Sequence, residues 1–153
     1  MHGNTINNNY ENFGIGSTTV SDFYCDIDTT NKINGKPIYY WVDHHNQLVP
    51  SDASFIGLIS CTNISVKNLQ ISNNFQAVVC SGSLKCTIED CNFLNNEGHG
   101  VYFIFSQNNI IKNCSYKNSF YSGIFLCNQT DNNVILNNNI SNIQVCGLWC
   151  ENS

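Results

Sequence analysis

The chain has 153 residues and a formal net charge of −5, with 42% hydrophobic and only 11% charged residues. That apolar content supports a real core in a single domain by length, and the acidic balance offers no basic face to nucleic acid or an anionic membrane. Asparagine fills the place of the missing charges, at 27 residues; its side chain competes for backbone hydrogen bonds, which argues against helical bundles, coiled coils and doubly wound α/β folds.

In chain order, Met1-His2-Gly3-Asn4 has neither the basic n-region nor the apolar h-region of a signal peptide. No apolar run anywhere approaches the roughly 18 residues of a membrane span. Asn4 to Asn9 and Gly14-Ile15 read as the end of one coil and the start of the next. Asp26 to Trp41 carries an Asn34-Gly35 turn followed by an extended Ile38-Tyr39-Tyr40-Trp41 run. Residues 43–52 are polar, contain Pro50 and are expected to project as a loop.

From Ala53 onward the chain repeats. Val66-Lys67-Asn68-Leu69-Gln70-Ile71-Ser72-Asn73 is followed in register by Ile88 to Asn95, Ile111 to Asn118 and Ile135 to Asn142, at offsets of 22, 23 and 24 residues. A second signature recurs between the copies: Gly100-Val101-Tyr102-Phe103, Gly123-Ile124-Phe125-Leu126 and Gly147-Leu148-Trp149-Cys150. Each unit alternates apolar and polar residues over short stretches broken by Asn, Gly and Ser, the pattern of strands and tight turns. Leucine-rich repeats share the period, but their regular leucine ladder is missing. The reading is all-β, a right-handed parallel β-helix of five to six coils with 22 to 24 residues each. Three inward ladders follow: Val66, Ile88, Ile111, Ile135; Ile71, Phe93, Tyr116, Ile140; and Val101, Ile124, Leu148. Lys67, Glu89 and Lys112 form an outward column of alternating charge. Asn68, Asp90, Asn113 and Asn137 stack at one corner, and Asn73, Asn95, Asn118 and Asn142 at the next, because Asn tolerates the left-handed conformation and bonds neighbouring backbone. These eight are read as structural ladders.

Asn34-Gly35-Lys36-Pro37-Ile38-Tyr39-Tyr40-Trp41, the run Cys61-Thr62-Asn63-Ile64-Ser65-Val66-Lys67-Asn68-Leu69 and the coils after it resemble archaeal and bacterial NosD-type parallel β-helix proteins. The resemblance covers nearly the whole chain. It implies export, with a periplasmic, cell-surface or extracellular location, and membership of a broad carbohydrate-binding and sugar-hydrolase class. It also implies copper handling in metalloenzyme maturation, the role of the family's namesake.

The chemistry-bearing residues are scattered. Asp22, Asp26, Asp28, Glu89, Asp90 and Glu97 share no outward column one coil apart, so no catalytic set emerges and an enzyme is not expected. Asp43-His44-His45 is the densest metal-ligand cluster and suits copper; Glu97 with His99 is a distant second. The nine cysteines lack zinc-knuckle spacing and read mostly as small buried hydrophobes. Tyr39, Tyr40, Trp41, Tyr102 and Tyr121 are candidate surface aromatics, and Asn63, Asn113, Asn128 and Asn139 begin sequons. The expected function is a non-enzymatic surface or secreted module that binds glycans or protein partners or serves a structural, adhesin-like role. The alternatives are a NosD-like copper accessory and a polysaccharide lyase or hydrolase fragment. Because the final coil ends soon after Leu148-Trp149-Cys150, the chain is expected to be one domain of a longer solenoid and, alone, to associate end to end.

Overall fold

The computed structural model describes residues 1–152. Apart from one 3-10 turn at Val20–Phe23, its regular structure is all β. An N-terminal arm carries β1 (Thr5–Ile6) and leads into the hairpin of β2 (Lys32–Ile33) and β3 (Lys36–Val42). The long sheet continues through β4 (Phe55–Ile59), β7 (Gln76–Ser81), β10 (His99–Ile104), β13 (Ser122–Cys127) and β16 (Cys146–Glu151). A second sheet stacks β5 (Ser65–Lys67), β8 (Thr87–Glu89), β11 (Ile110–Lys112) and β14 (Val134–Leu136). A third stacks β6 (Gln70–Ser72), β9 (Asn92–Leu94), β12 (Ser115–Lys117) and β15 (Asn139–Ser141). Neighbouring coils pair in parallel, and among the described residues only β2 and β3 run antiparallel. The result is a parallel β-helix of about six turns.

The inward ladders stand in register. Val66, Ile88, Ile111 and Ile135 face one another across β5, β8, β11 and β14. Ile71, Phe93, Tyr116 and Ile140 do so across the third sheet. The bulk of Phe93 and Tyr116 is accommodated by the small column Ala77, Gly100, Gly123 and Gly147 opposite. A Cβ on Gly100 would sit 2.4 Å from Tyr116 Cδ1 and 2.6 Å from the Gly123 carbonyl oxygen, so this glycine is fixed by space. On the outside, Glu89 bridges Lys67 and, at 2.7 Å, Lys112.

Both asparagine columns adopt the left-handed conformation, with φ between 53° and 60°. Two further corners do the same, one through Asn46, Asn63, Lys85, Asn108 and Asn132, the other through Asp43, Ser60, Gly82, Phe105 and Asn128. The corner side chains mostly point to solvent; the buried amides belong to the residue that follows. Asn74, Asn96 and Asn109 are fully buried. Asn109 Oδ1 accepts from the Cys86 amide at 2.8 Å, and its Nδ2 donates to the Ser83 carbonyl at 3.1 Å. Asn138 likewise accepts from the Cys114 amide at 2.9 Å. A corner turns the chain, and the next side chain inward ties one coil to its neighbour.

Two segments differ from expectation. Residues 43–52 run along the first coil instead of projecting: His45 and Leu48 bridge Thr62 and Ser65, and Val49 is buried in the core. Val49 supplies the inward residue, while Gln47 and Leu48 before it stay exposed. The N-terminal segment is not a coil. It folds over the outer face of the long sheet, where Phe23 and Ile27 join Ile38, Tyr40, Phe55, Ile59 and Val79 in a second apolar core. The outward side chains of the first coils are apolar and require that cover.

Candidate functional site

The arm is fastened where the third sheet turns into the long sheet. Asn12 donates its backbone N–H at 2.9 Å and its side-chain amide at 2.7 Å to the Asn73 carbonyl. Phe75 N–H donates to the Phe13 carbonyl at 2.8 Å, and the Gln76 amide takes both backbone groups of Ile15, at 3.2 and 3.1 Å. This seam delivers Tyr10 to Glu97, with the phenol donating to Oε2 at 2.9 Å. The bond to the carboxylate raises the Tyr10 pKa. The ring itself stays 82% exposed.

Between arm and coils lies a groove of about 540 Å³ lined by Asn8, Asn9, Tyr10, Asn73, Asn95, Glu97 and Asn118. Its floor is an amide ladder: Asn118 Nδ2 donates to Asn95 Oδ1 at 3.1 Å, and Asn142 Nδ2 to Asn118 Oδ1 at 3.4 Å. A ladder of this kind runs in one direction and leaves capacity at its first members. Among the described residues, nothing in the protein takes the Asn73 side-chain amide, Asn95 Nδ2 or Glu97 Oε1. The groove therefore offers amide donors, a carboxylate acceptor and an exposed phenol ring. Behind it stands an aromatic wall. His99 packs at a tilt against Phe125 at 4.8 Å and Tyr102 at 5.6 Å, with Phe75 and Tyr121 beyond. Its Nδ1 meets Ser122 Oγ at 2.7 Å. Burial lowers the His99 pKa to about 4, so the ring is neutral near pH 7.

The Asp43-His44-His45 cluster does not converge. Asp43 and His45 are exposed. The His44 ring lies flat on Trp41, 5.0 Å between centroids, with Nδ1 sealed from solvent and without a hydrogen-bond partner. Neighbouring residues of an extended chain point to opposite sides, which separates the two imidazoles. Among the described residues, no group of three or more His, Cys, Asp or Glu side chains gathers to hold an ion. Six cysteines are buried, Cys25 and Cys146 half-buried and Cys150 exposed; all are free thiols. Burial pushes the Cys86 thiol up to about 11. This donor set does not fit a copper site.

The remaining acids are engaged separately. Asp26 and Asp28 both hold His2, at 3.0 Å each, and Asp22 accepts from Ser17 at 2.6 Å. Asp90 is an exposed corner. Of the candidate aromatics, Tyr40 and Tyr102 are buried, Tyr39 and Trp41 half-buried, and Tyr121 exposed. Among the sequon residues, Asn63, Asn113 and Asn139 are exposed and Asn128 is half-buried. Sequence reasoning flagged Glu97 with His99, and the Asn73 column, for other roles; it missed Tyr10. Nothing near Tyr10 signals its part, because its partner is 87 residues away.

The sequence profile of the family described as "Periplasmic copper-binding protein (NosD)" matches residues 2–153. The chain belongs to the NosD family. No curated protein and no solved structure gave a match. The NosD assignment agrees with the stacked parallel coils, and the family's description is periplasmic. Among the described residues, no helix of this NosD-family chain is long and apolar enough to cross a membrane.

Proposed function

We propose that this chain is a non-enzymatic glycan-binding module acting in the periplasm or at the cell surface. The observation that carries the reading is the Asn73–Asn95–Asn118 groove, where unclaimed amides and a carboxylate lie beside the exposed Tyr10 ring. Sugars are bound by such planar polar groups on their hydroxyls together with an aromatic ring on their apolar face. A screen of immobilised oligosaccharides with the purified chain tests it. Wild type should retain at least one glycan class, and Tyr10→Ala and Asn95→Ala should each lower that binding about tenfold, some 1.4 kcal/mol. Equal retention by both variants, or none by wild type, contradicts the reading.

Copper handling is the second reading, and the family description favours it. Titration with Cu(I) and Cu(II), followed by metal analysis after dialysis, tests it. Stoichiometric copper retained after dialysis would support copper handling, and its absence would contradict it.

A further inference from the structure

We infer that the groove selects a neutral, hydroxyl-rich glycan chain laid parallel to the solenoid axis, and rejects acidic ones; this rests on the glycan-binding reading above. Glu97 is the only ionisable acid in the lining, and no lysine, arginine or histidine lines the groove. Glu11 adds a second negative charge close enough to act on Tyr10, and the whole chain carries −5. A uronate or sulfated sugar would bring its anion beside a carboxylate with nothing opposite to neutralise it, an arrangement that costs affinity. A neutral sugar meets the reverse situation. Its hydroxyls donate to the free oxygen of Glu97 and accept from the Asn73 and Asn95 amides, so one pair of adjacent hydroxyls satisfies both sides.

The direction follows from the ladder. Asn73, Asn95 and Asn118 stand on successive coils, about 4.8 Å apart along the axis, a spacing close to the length of one sugar unit. A chain parallel to the axis presents a hydroxyl pair to each coil, whereas a chain across the groove meets one coil only. Three coils contribute, so affinity should rise with chain length and level off after about three units.

Calorimetric titration of the full chain decides this. The ligands are neutral gluco-, xylo- and manno-oligosaccharides of two to six units and oligogalacturonates of the same lengths, at low salt. The expected result is binding of a neutral series that levels off near three units, with the uronates at least tenfold weaker. Glu97→Gln, an isosteric change at a half-buried site whose melting temperature checks folding, should weaken the neutral ligand at least fivefold. Tighter uronate binding, made tighter still by Glu97→Gln, would overturn the charge assignment while leaving the glycan reading standing. Affinity independent of length would overturn the axial placement. Failure of every glycan to bind would sink the glycan reading and this inference with it.

Discussion

Asparagine carries out two separate tasks at and beside the corners. Asn113 sits at φ 54° with its side chain in solvent, so its contribution is conformational. Asn109 is buried, satisfies the Cys86 amide and donates to the Ser83 carbonyl. Asn113→Ala should cost about 1 kcal/mol, because alanine keeps the Cβ but lacks the short polar side chain that lets asparagine tolerate the left-handed region, and Asn113→Gly close to nothing. Asn109→Ala should cost about 1–3 kcal/mol, because it strands the buried Cys86 N–H, while the Ser83 carbonyl keeps the Gln107 N–H at 3.0 Å. Urea melts of the three variants check the order. His99 acts at the same scale. Its pKa falls from 6.5 to about 4 on folding, so the unfolded chain binds the extra proton between those values and stability falls as pH drops through that window. Asp28, held at about 2, loses its contribution lower down, below about pH 4. Melts at pH 7 and 4.5 should show the loss in wild type and a smaller one in His99→Phe.

The ladders set stability at the level of strands. Ile111 is fully buried, with Ile88 and Ile135 as register neighbours. Ile111→Asp would bury an unpaired charge between them and should cost several kcal/mol or prevent folding, read as a lost cooperative transition. Strand register was legible because a 22- to 24-residue period leaves one alignment that puts every aliphatic inward and brings Lys67, Glu89 and Lys112 together. What was not legible is the inner partner of each corner. Asn74, Asn96 and Asn109 follow asparagine or its equivalent in sequence, and doubled Asn residues do not reveal which member turns inward. Polar composition likewise hid the coil within residues 43–52, where Val49 alone marks the core.

Across the whole molecule, local pattern fails where the chain acts at long range. The arm crosses to Asn73, Phe75 and Gln76 through backbone and side-chain amide bonds that leave no motif, so the groove it completes could not be read from the coils alone. The ends differ too. In the first coil, Tyr39 and Trp41 pack edge to face, and Tyr39 bonds Asp52 at 2.9 Å. In the last, Val134, Leu136, Val145, Leu148 and Trp149 are exposed, and among the described residues β14, β15 and β16 each keep one strand edge unpaired. Open edges beside apolar side chains template association, so the 153-residue chain should show a molecular mass that rises with concentration in reducing buffer. A monomer at every concentration in light scattering would contradict this. The claim on which the account turns is that the amide groove is the binding surface. Amide and side-chain NMR shift mapping during titration with the glycan found by screening tests it most directly. The account predicts the largest shifts at Tyr10, Asn73, Asn95, Glu97 and Asn118; shifts concentrated instead around Asp43, His44 and His45, or spread without focus, would contradict it.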